Sequence, residues 1–336
     1  MNYSRLNKST LITGGAGYIG SNLALELLKK KNRVIIVDNF INSKRSNLKY
    51  LEKKFKNLLQ IKKVDICNKN KIAEIFKKNN IEIVYHLAAL KSVSESVKKK
   101  NIYFKNNFLA TSNLLKQMKY YNVNRLIFSS SATVYGNQKK YPFTENKIGK
   151  PTNPYGYTKI KCENLIKSYS QKKNSFLKSI ILRYFNPLGA DIKYRLGDRP
   201  RKPEDTLMNN IGKSIKEDRI FYIYGKNHNT KDGTCVRDFI HIKDIINGHI
   251  SAKKLLDKKN FSIINLGSGR YRTVLQVLRQ FEKTSKRKID YEFKPKRLGD
   301  ISVSIADITK AKRLIKWKPK YSLKSMCESH WKLINS

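Results

Sequence analysis

Residues 14–20 read Gly-Gly-Ala-Gly-Tyr-Ile-Gly, directly after the short apolar run Thr10-Leu11-Ile12-Thr13 and before Ile19–Leu28, whose apolar positions have helical spacing. A strand that turns through glycines straight into a helix opens a β-α-β unit, and few other arrangements accommodate that order. Gly14, Gly17 and Gly20 let the backbone approach a pyrophosphate, whose charge then meets the positive end of the helix. A glycine pattern alone is a weak signal, because turns and close helix–strand packing use glycine too. Its surroundings strengthen it. Arg33-Val34-Ile35-Ile36-Val37 reads as a second strand with a continuous apolar centre, as burial on both faces requires, and Asp38 ends it. A carboxylate there accepts ribose hydroxyls and repels a 2′-phosphate, favouring NAD over NADP.

Further strands are expected at 61–64, 83–87, 126–129 and 179–184, separated by helices at 71–78, 107–120 and 156–173. Strand alternating with helix implies an α/β, Rossmann-type doubly wound parallel sheet. Beyond Phe185 the pattern loosens. Asn186–Pro203 is rich in Gly, Pro and charge and reads as a loop into a smaller C-terminal substrate-binding lobe. Strands near 220–224 and 261–266 and helices near 243–257 and 273–284 are expected there. The resulting division is 1–185 and 186–336, with segments near 232–268 as candidates to return to the first part.

The 336 residues carry 71 Lys+Arg against 25 Asp+Glu, a formal charge of +46. Such a balance first suggests a nucleic-acid or anionic-membrane partner. Yet 55 of the 71 basic residues are lysine, spread in pairs and triples such as Lys29-Lys30-Lys31 and Lys98-Lys99-Lys100. With abundant Asn and Ile, that is the pattern of an A/T-rich coding bias, and it argues against nucleic acid. A hydrophobic fraction of 40% with 19 Tyr and 14 Phe supports a sizeable core. No apolar run reaches 18 residues, which excludes a helical membrane span. Met1–Lys8 holds no apolar stretch of signal-peptide length, so secretion by that route is not expected. Cys67, Cys162, Cys235 and Cys327 are far apart, giving neither a zinc site nor a disulfide framework; a reducing cytoplasm is the expectation.

Two further constellations carry chemistry. Tyr155 and Lys159 lie four apart on one helix face, and a nearby ammonium lowers the pKa of a phenol that is otherwise a poor base at neutral pH. Tyr157 and Lys161 have the same spacing, so spacing alone offers two pairs; Pro154 places Tyr155 in the first turn. The run Phe128-Ser129-Ser130-Ser131-Ala132-Thr133 sits at a strand's C-terminal end, where open α/β sheets bind ligands. A hydroxyl there can bond the reacting oxygen and relay its proton.

These residues resemble the extended short-chain dehydrogenase/reductase superfamily, and within it the UDP-glucose 4-epimerase family, over roughly residues 9–331. The carriers are TGGAGYIGS (13–21), DNFINSKRS (38–46), HLAALKSVSES (86–96), FSSSATVYG (128–136), NPYGYTK (153–159), LRYFNPLGA (182–190), DGTCVRDFIHI (232–242) and NLGSG (265–269). The resemblance implies Tyr155 as catalytic base, Lys159 as its partner and ribose ligand, and Ser131 as the assisting hydroxyl. It implies NAD contacts from Gly14, Gly17, Tyr18, Ile19 and Gly20, and from Asp38, Asn39, Phe40, Asn42 and Ser43. Asp65, Ile66, Leu87, Ala88, Ala89, Lys91, Asn106 and Phe185 would complete that set, together with Ser131, Tyr155 and Lys159. The sugar nucleotide would meet Asn186, Tyr224, Arg237, Arg297 and Asp300, two guanidinium groups suiting a diphosphate. Ser304 would line the sugar pocket near C2, and its small size would leave room for an N-acetyl group.

The implied activity is reversible C4 epimerisation of UDP-glucose and UDP-galactose through a 4-keto intermediate with tightly bound NAD, by a homodimer that uses no metal. Sugar-nucleotide dehydratases have an Asp-Glu pair where this chain has Ala132-Thr133, so water elimination lacks its acid and base. Thr206 stands where Asn is common, Phe239 where Tyr is usual, and 191–203 departs from the usual pattern. Two other readings stay open at this level: another NAD-dependent sugar-nucleotide epimerase or reductase, and a basic nucleic-acid-binding protein on the same fold.

Overall fold

The computed structural model describes residues 8–200, 206–297 and 300–336. Its centre is a parallel sheet built from β1 (Ser9–Thr13), β2 (Arg33–Asp38), β3 (Leu59–Lys63), β4 (Ile81–His86), β5 (Arg125–Ser131), β6 (Lys178–Tyr184) and the strand Phe261–Leu266. The spatial order is Phe261–Leu266, β6, β5, β4, β1, β2, β3. The chain therefore runs outward from β1 through β2 and β3, then returns to place β4 on β1's other side. The C-terminal ends of β1 and β4 form the crevice where such sheets bind ligands.

Alternation of side chains sorts the two faces. Ile12, Val34 and Ile36 point to a core layer shared with α1 (Tyr18–Lys29) and the helix Ile242–Leu255. Their neighbours Leu11, Ile35 and Val37 point to the opposite layer, with Ile72, Leu114 and Ile166 from the helices Lys69–Lys78, Ala110–Tyr120 and Pro154–Ser170. β1 and β2 are buried on both faces, whereas β3, at the edge, exposes Lys62 and Lys63. Charges on an edge strand discourage a second chain from pairing there. The helix expected over 107–120 is longer and broken: Val93–Lys98 and Lys100–Tyr103 lead into a π-turn, Phe104–Leu109, before Ala110–Tyr120. No helix of the described residues is long and apolar enough to cross a membrane.

The strand at 261–266, expected in the second lobe but within the segment named as a candidate to return to the first part, is an edge of the main sheet, paired with β6 along its full length. The helix Ile242–Leu255 likewise packs in α1's core layer. Their apolar character carries no mark of which core they join. The second lobe itself is made of short pairings: Asn186–Leu188 with Phe239–His241, Phe221–Tyr224 with Tyr291–Lys294, and Val236–Arg237 with Arg272–Thr273 on one side and Val303–Ser304 on the other. Three helices, Leu207–Lys216, Val274–Ser285 and Leu323–Ile334, enclose a separate apolar core around Ile211, Ile223, Leu278 and Phe281. Such short ladders need other ties. Asp238, fully buried, accepts hydrogen bonds from Ser268 N (2.5 Å), Ser268 Oγ (2.7 Å), Gly269 N (2.9 Å) and Ala306 N (3.1 Å). Burial raises its pKa and these bonds oppose the rise.

Beneath the helix Pro154–Ser170 lies an ion pair closed to water. Arg183 of β6 donates to Glu163 from Nε (3.0 Å) and Nη2 (2.6 Å), and to Tyr135 Oη (3.0 Å) and the Glu145 carbonyl (3.1 Å) from Nη1. Ser130 Oγ donates to the same Glu163 carboxylate at 2.5 Å. Removing one partner of a buried pair strands the other charge. Arg183→Leu is therefore expected to lower stability in urea unfolding by about 3–5 kcal/mol, with Arg183→Leu/Glu163→Leu recovering part of the loss. An Arg183→Leu chain as stable as the parent would contradict this.

Candidate active site

One cleft of ≈ 1030 Å³ runs from the glycine loop, past the ends of β4 and β5, to the second lobe. At its inner end the glycines are required sterically. Gly14 has φ +71°, and a Cβ there would lie 2.6 Å from Ala88 N. A Cβ on Gly20 would collide with the Gly14 carbonyl. Strand end, loop and helix thus nest against each other, and Gly17 stands at the N-cap of α1 with no side chain capping its first N–H groups. An uncapped helix N-terminus facing a cleft is a fitting seat for a pyrophosphate.

Asp38 closes the next part of the wall. Its carboxylate accepts from Ala16 N (3.0 Å), Phe40 N (2.9 Å) and Ser43 Oγ (2.9 Å), which wraps the loop 38–43 around it while it still borders the cleft. This arrangement suits a ribose diol next to the pyrophosphate seat. Gly14, Gly17, Tyr18, Ile19, Gly20, Asn39, Asn42, Ser43, Asp65, Ile66, Leu87, Ala88, Ala89, Lys91, Asn106 and Phe185 also border the cleft. Phe40 is placed differently. Its side chain packs into the core behind the loop, and its backbone, at φ +58°, contributes the N–H to Asp38.

Two Tyr–Lys pairs shared a spacing, and burial separates them. Asn153 caps the helix Pro154–Ser170 by accepting from Gly156 N at 2.9 Å, which sets Tyr155 in the first turn. Tyr155 and Lys159 are 8% and 3% exposed and border the cleft, whereas Tyr157 is 48% exposed, with Lys161 over its ring at 5.4 Å. A Cβ on Gly156 would lie 2.9 Å from the Thr133 carbonyl, so that glycine lets the helix reach the serine turn. β5 runs through Ser131, so all three serines are in the strand itself. Ser131 caps the turn Ala132–Tyr135 and hydrogen-bonds the Tyr155 side chain.

Tyr155 has a raised pKa, because burial outweighs the hydrogen bond to Ser131 and the charge of Lys91, which both lower it. Lys159 has a backbone partner of its own. The ammonium is turned toward the Ser129 carbonyl (2.7 Å) and lies 4.7 Å from the Phe128 ring centroid. Burial pushes Lys159 down to about 8, opposed by Cys162 and Glu163. In the chain alone, the charge of Lys91 favours the phenolate. Lys91 also bridges to Asp198 of the second lobe at 3.8 Å.

Asn107 is a supporting residue that the sequence reading missed. Its side chain accepts from Leu90 N (2.8 Å) and donates to Leu90 O (3.0 Å) and Thr158 Oγ1 (3.0 Å), joining the loop after β4 to the helix of Tyr155. The π-turn 104–109 presents it, and no periodicity in the sequence marks a π-turn. His86 is locked in the same region, between Thr13 Oγ1 (2.6 Å) and Thr111 Oγ1 (2.9 Å), and burial pushes it down to about 3. It is a neutral strut.

At the outer end Asn186, Tyr224, Arg237, Arg297, Asp300 and Ser304 all border the cleft. Arg297 stacks 3.9 Å above the Tyr224 ring, and Arg237 pairs with Asp300 while donating to the Ile301 carbonyl (2.8 Å). Ser304, 5% exposed, pairs in register with Arg237. Phe239 is buried, and Thr206 borders the cleft with an Oγ1 that has no partner among the described residues.

Comparison with known proteins gives the same picture. The family described as GDP-mannose 4,6 dehydratase matches residues 11–330. UDP-glucose 4-epimerase 1 of Oryza sativa subsp. japonica is 38% identical over 336 residues, covering 98% of this chain and 95% of that protein. The structure of UDP-glucose 4-epimerase from Bifidobacterium longum with NAD+ and UDP superposes with a TM-score of 0.93 at 38% identity, covering 97% of this chain and 98% of that one. The UDP-Glc/GlcNAc 4-epimerase from Campylobacter jejuni superposes at 0.84 with 33% identity, covering 98% and 99%. With the dehydratase acid pair replaced by Ala132-Thr133, the chain belongs to the UDP-glucose 4-epimerase family of extended short-chain dehydrogenases/reductases.

Proposed function

We propose that this chain inverts C4 of UDP-glucose and UDP-galactose reversibly, as an isomerase that keeps one NAD in the cleft throughout. The observation that carries the reading is a single cleft in which the glycine loop and Asp38, the pair Tyr155–Ser131, and the arginines Arg237 and Arg297 succeed one another. Bound NAD supplies the acceptor, and then the donor, of the C4 hydride. Tyr155 takes the proton of the 4-hydroxyl, and Ser131, bonded to it, shares that proton. Burial holds the phenol protonated in the chain alone, so a cationic ring beside it, added to Lys91, supplies what ionisation requires. Arg237 and Arg297 hold the diphosphate as the 4-keto sugar turns about its phosphate linkage and offers its other face.

The resident group fits the wall it would face: the glycine cradle that a Cβ would fill, the uncapped end of α1 and the carboxylate of Asp38. Residues 1–185, with the strand Phe261–Leu266 and the helix before it, would hold NAD, and the remainder the sugar nucleotide. The small Ser304 supports acceptance of UDP-N-acetylhexosamines as well, in keeping with the likeness to the Campylobacter enzyme. A homodimer is supported by Val97, Ile102, Phe104, Leu109 and Tyr157, exposed on neighbouring helices beside the cleft. Four free thiols support a reducing, cytoplasmic setting; recovery of the protein outside the cytosol on fractionation would contradict that.

The purified protein is expected to carry stoichiometric NAD and to convert UDP-galactose to UDP-glucose and UDP-N-acetylglucosamine to its C4 epimer. Tyr155→Phe should lower kcat by about 10²–10⁴-fold with NAD still bound. Normal turnover by that variant refutes the role of Tyr155, and activity on the hexose alone refutes the reading of Ser304. Sedimentation equilibrium should give twice the 39.1 kDa chain mass; a monomer at micromolar concentration would contradict the dimer.

A further inference from the structure

Behind the serines of β5 runs a line of hydrogen bonds that the reaction above does not use. His249, fully buried on the helix Ile242–Leu255, has Nδ1 2.9 Å from the Ile245 carbonyl. Its Nε2 is 2.5 Å from the Tyr184 hydroxyl, which is in turn 2.8 Å from Ser129 Oγ. Ser129 and Tyr184 both border the cleft beside Tyr155 and Lys159. The backbone of Ser129 also accepts the Lys159 ammonium.

The direction of every bond in this line is determined from one end. A carbonyl can only accept, so Nδ1 of His249 must carry hydrogen. Burial pushes the imidazole down to about 4, so it is neutral, and Nε2 is a bare acceptor. Tyr184 must then donate to Nε2, and its oxygen must accept from Ser129 Oγ–H. Both hydroxyl protons are consumed within the line. What Ser129 and Tyr184 turn toward the cleft is lone pairs only.

We infer that His249 makes this stretch of wall an acceptor-only surface, and thereby selects the amide NH₂ end of the cofactor's carboxamide and fixes the ring's orientation beside Tyr155. The inference rests on the NAD reading above. A carboxamide has a donor end and an acceptor end of nearly equal size, and only a wall of fixed polarity tells them apart. His249 touches neither cofactor nor substrate, so it is a positioning residue acting through Tyr184 and Ser129. Without its acceptor, the Tyr184 proton is free to turn to Ser129 or to the cleft, and the wall accepts either end.

The test is an exchange of the holoenzyme against an equimolar mixture of NAD and its 3-acetylpyridine analogue, in which a methyl replaces the amide nitrogen. Mass spectrometry of the bound dinucleotide reads the preference. The parent should favour NAD about tenfold or more, the scale of leaving buried acceptors without a donor. His249→Leu should reduce that preference to within about threefold, whereas His249→Gln, whose side-chain oxygen can still accept from Tyr184, should keep most of it. Tyr184→Phe, which removes one acceptor, should lose it too, and with the glutamine variant carries the test if the leucine chain does not fold. A folded His249→Leu or Tyr184→Phe chain with the parent's preference overturns the inference. A parent that binds neither dinucleotide overturns the cofactor reading, and the inference with it.

Discussion

The Arg183–Glu163 pair ties together the elements that the chemistry requires to stay in register. Its two residues come from β6 and from the helix carrying Tyr155 and Lys159, and its remaining bonds reach Ser130, Tyr135 and the Glu145 carbonyl. Tyr135 passes the connection to Asn265 in the last strand of the sheet (2.5 Å), whose own amide holds the Phe143 carbonyl (2.8 Å). A buried ion pair contributes little net stability, since desolvation offsets its attraction. Its consequence is geometric: an incorrectly seated helix would leave a charge without partner in an apolar interior. The placement of Tyr155 against Ser131 follows from that constraint.

The two halves of the cleft are held by different physics. On the sheet side, apolar layers on both faces fix the strand ends, and the cleft is bordered by the glycine loop, Asp38 and three serines. On the other side the strands are only two to four residues long, and a single buried carboxylate, Asp238, gathers the loops behind Arg237 and Ser304. On the reading proposed above, the sheet-built half would seat the dinucleotide and the loop-built half the sugar, which suits a reaction in which the cofactor stays and the sugar must turn. Lys91 and Asp198 touch across the opening between them, and the same Lys91 acts on Tyr155.

Much of the sheet-side half was legible in the sequence because it is written locally. Strand, glycines, helix and terminal acid follow one another within 30 residues, and each has its own physical signature. The second lobe was less legible. Strands of two or three residues show no period, and the apolar run 261–266 reads the same whichever core receives it. Asn107, Glu163, Arg183, Asp238 and His249 were missed for a common reason: a polar residue buried by its partners resembles a surface residue until those distant partners are known. Spacing alone left Tyr155 and Tyr157 level; Pro154 and the family motif favoured Tyr155, and burial separates them. Phe40 matched a cofactor-contacting motif, yet its side chain packs in the core and its N–H bonds Asp38. The charge of +46 has likewise found few specific tasks, and some lysines simply cover aromatic rings, as Lys29, Lys54 and Lys193 do around Tyr194 at 4.4, 5.6 and 5.8 Å.

On the proposed reading the C4 hydrogen leaves and returns within one cleft, with Tyr155 handling only the hydroxyl proton. UDP-galactose deuterated at C4 tests it most directly. The account predicts that UDP-glucose formed in ordinary water keeps the deuterium at C4, with none released to solvent over many turnovers. Loss of the label to water would mean that carbon-bound hydrogen is exchanged as a proton, and would contradict the assignment.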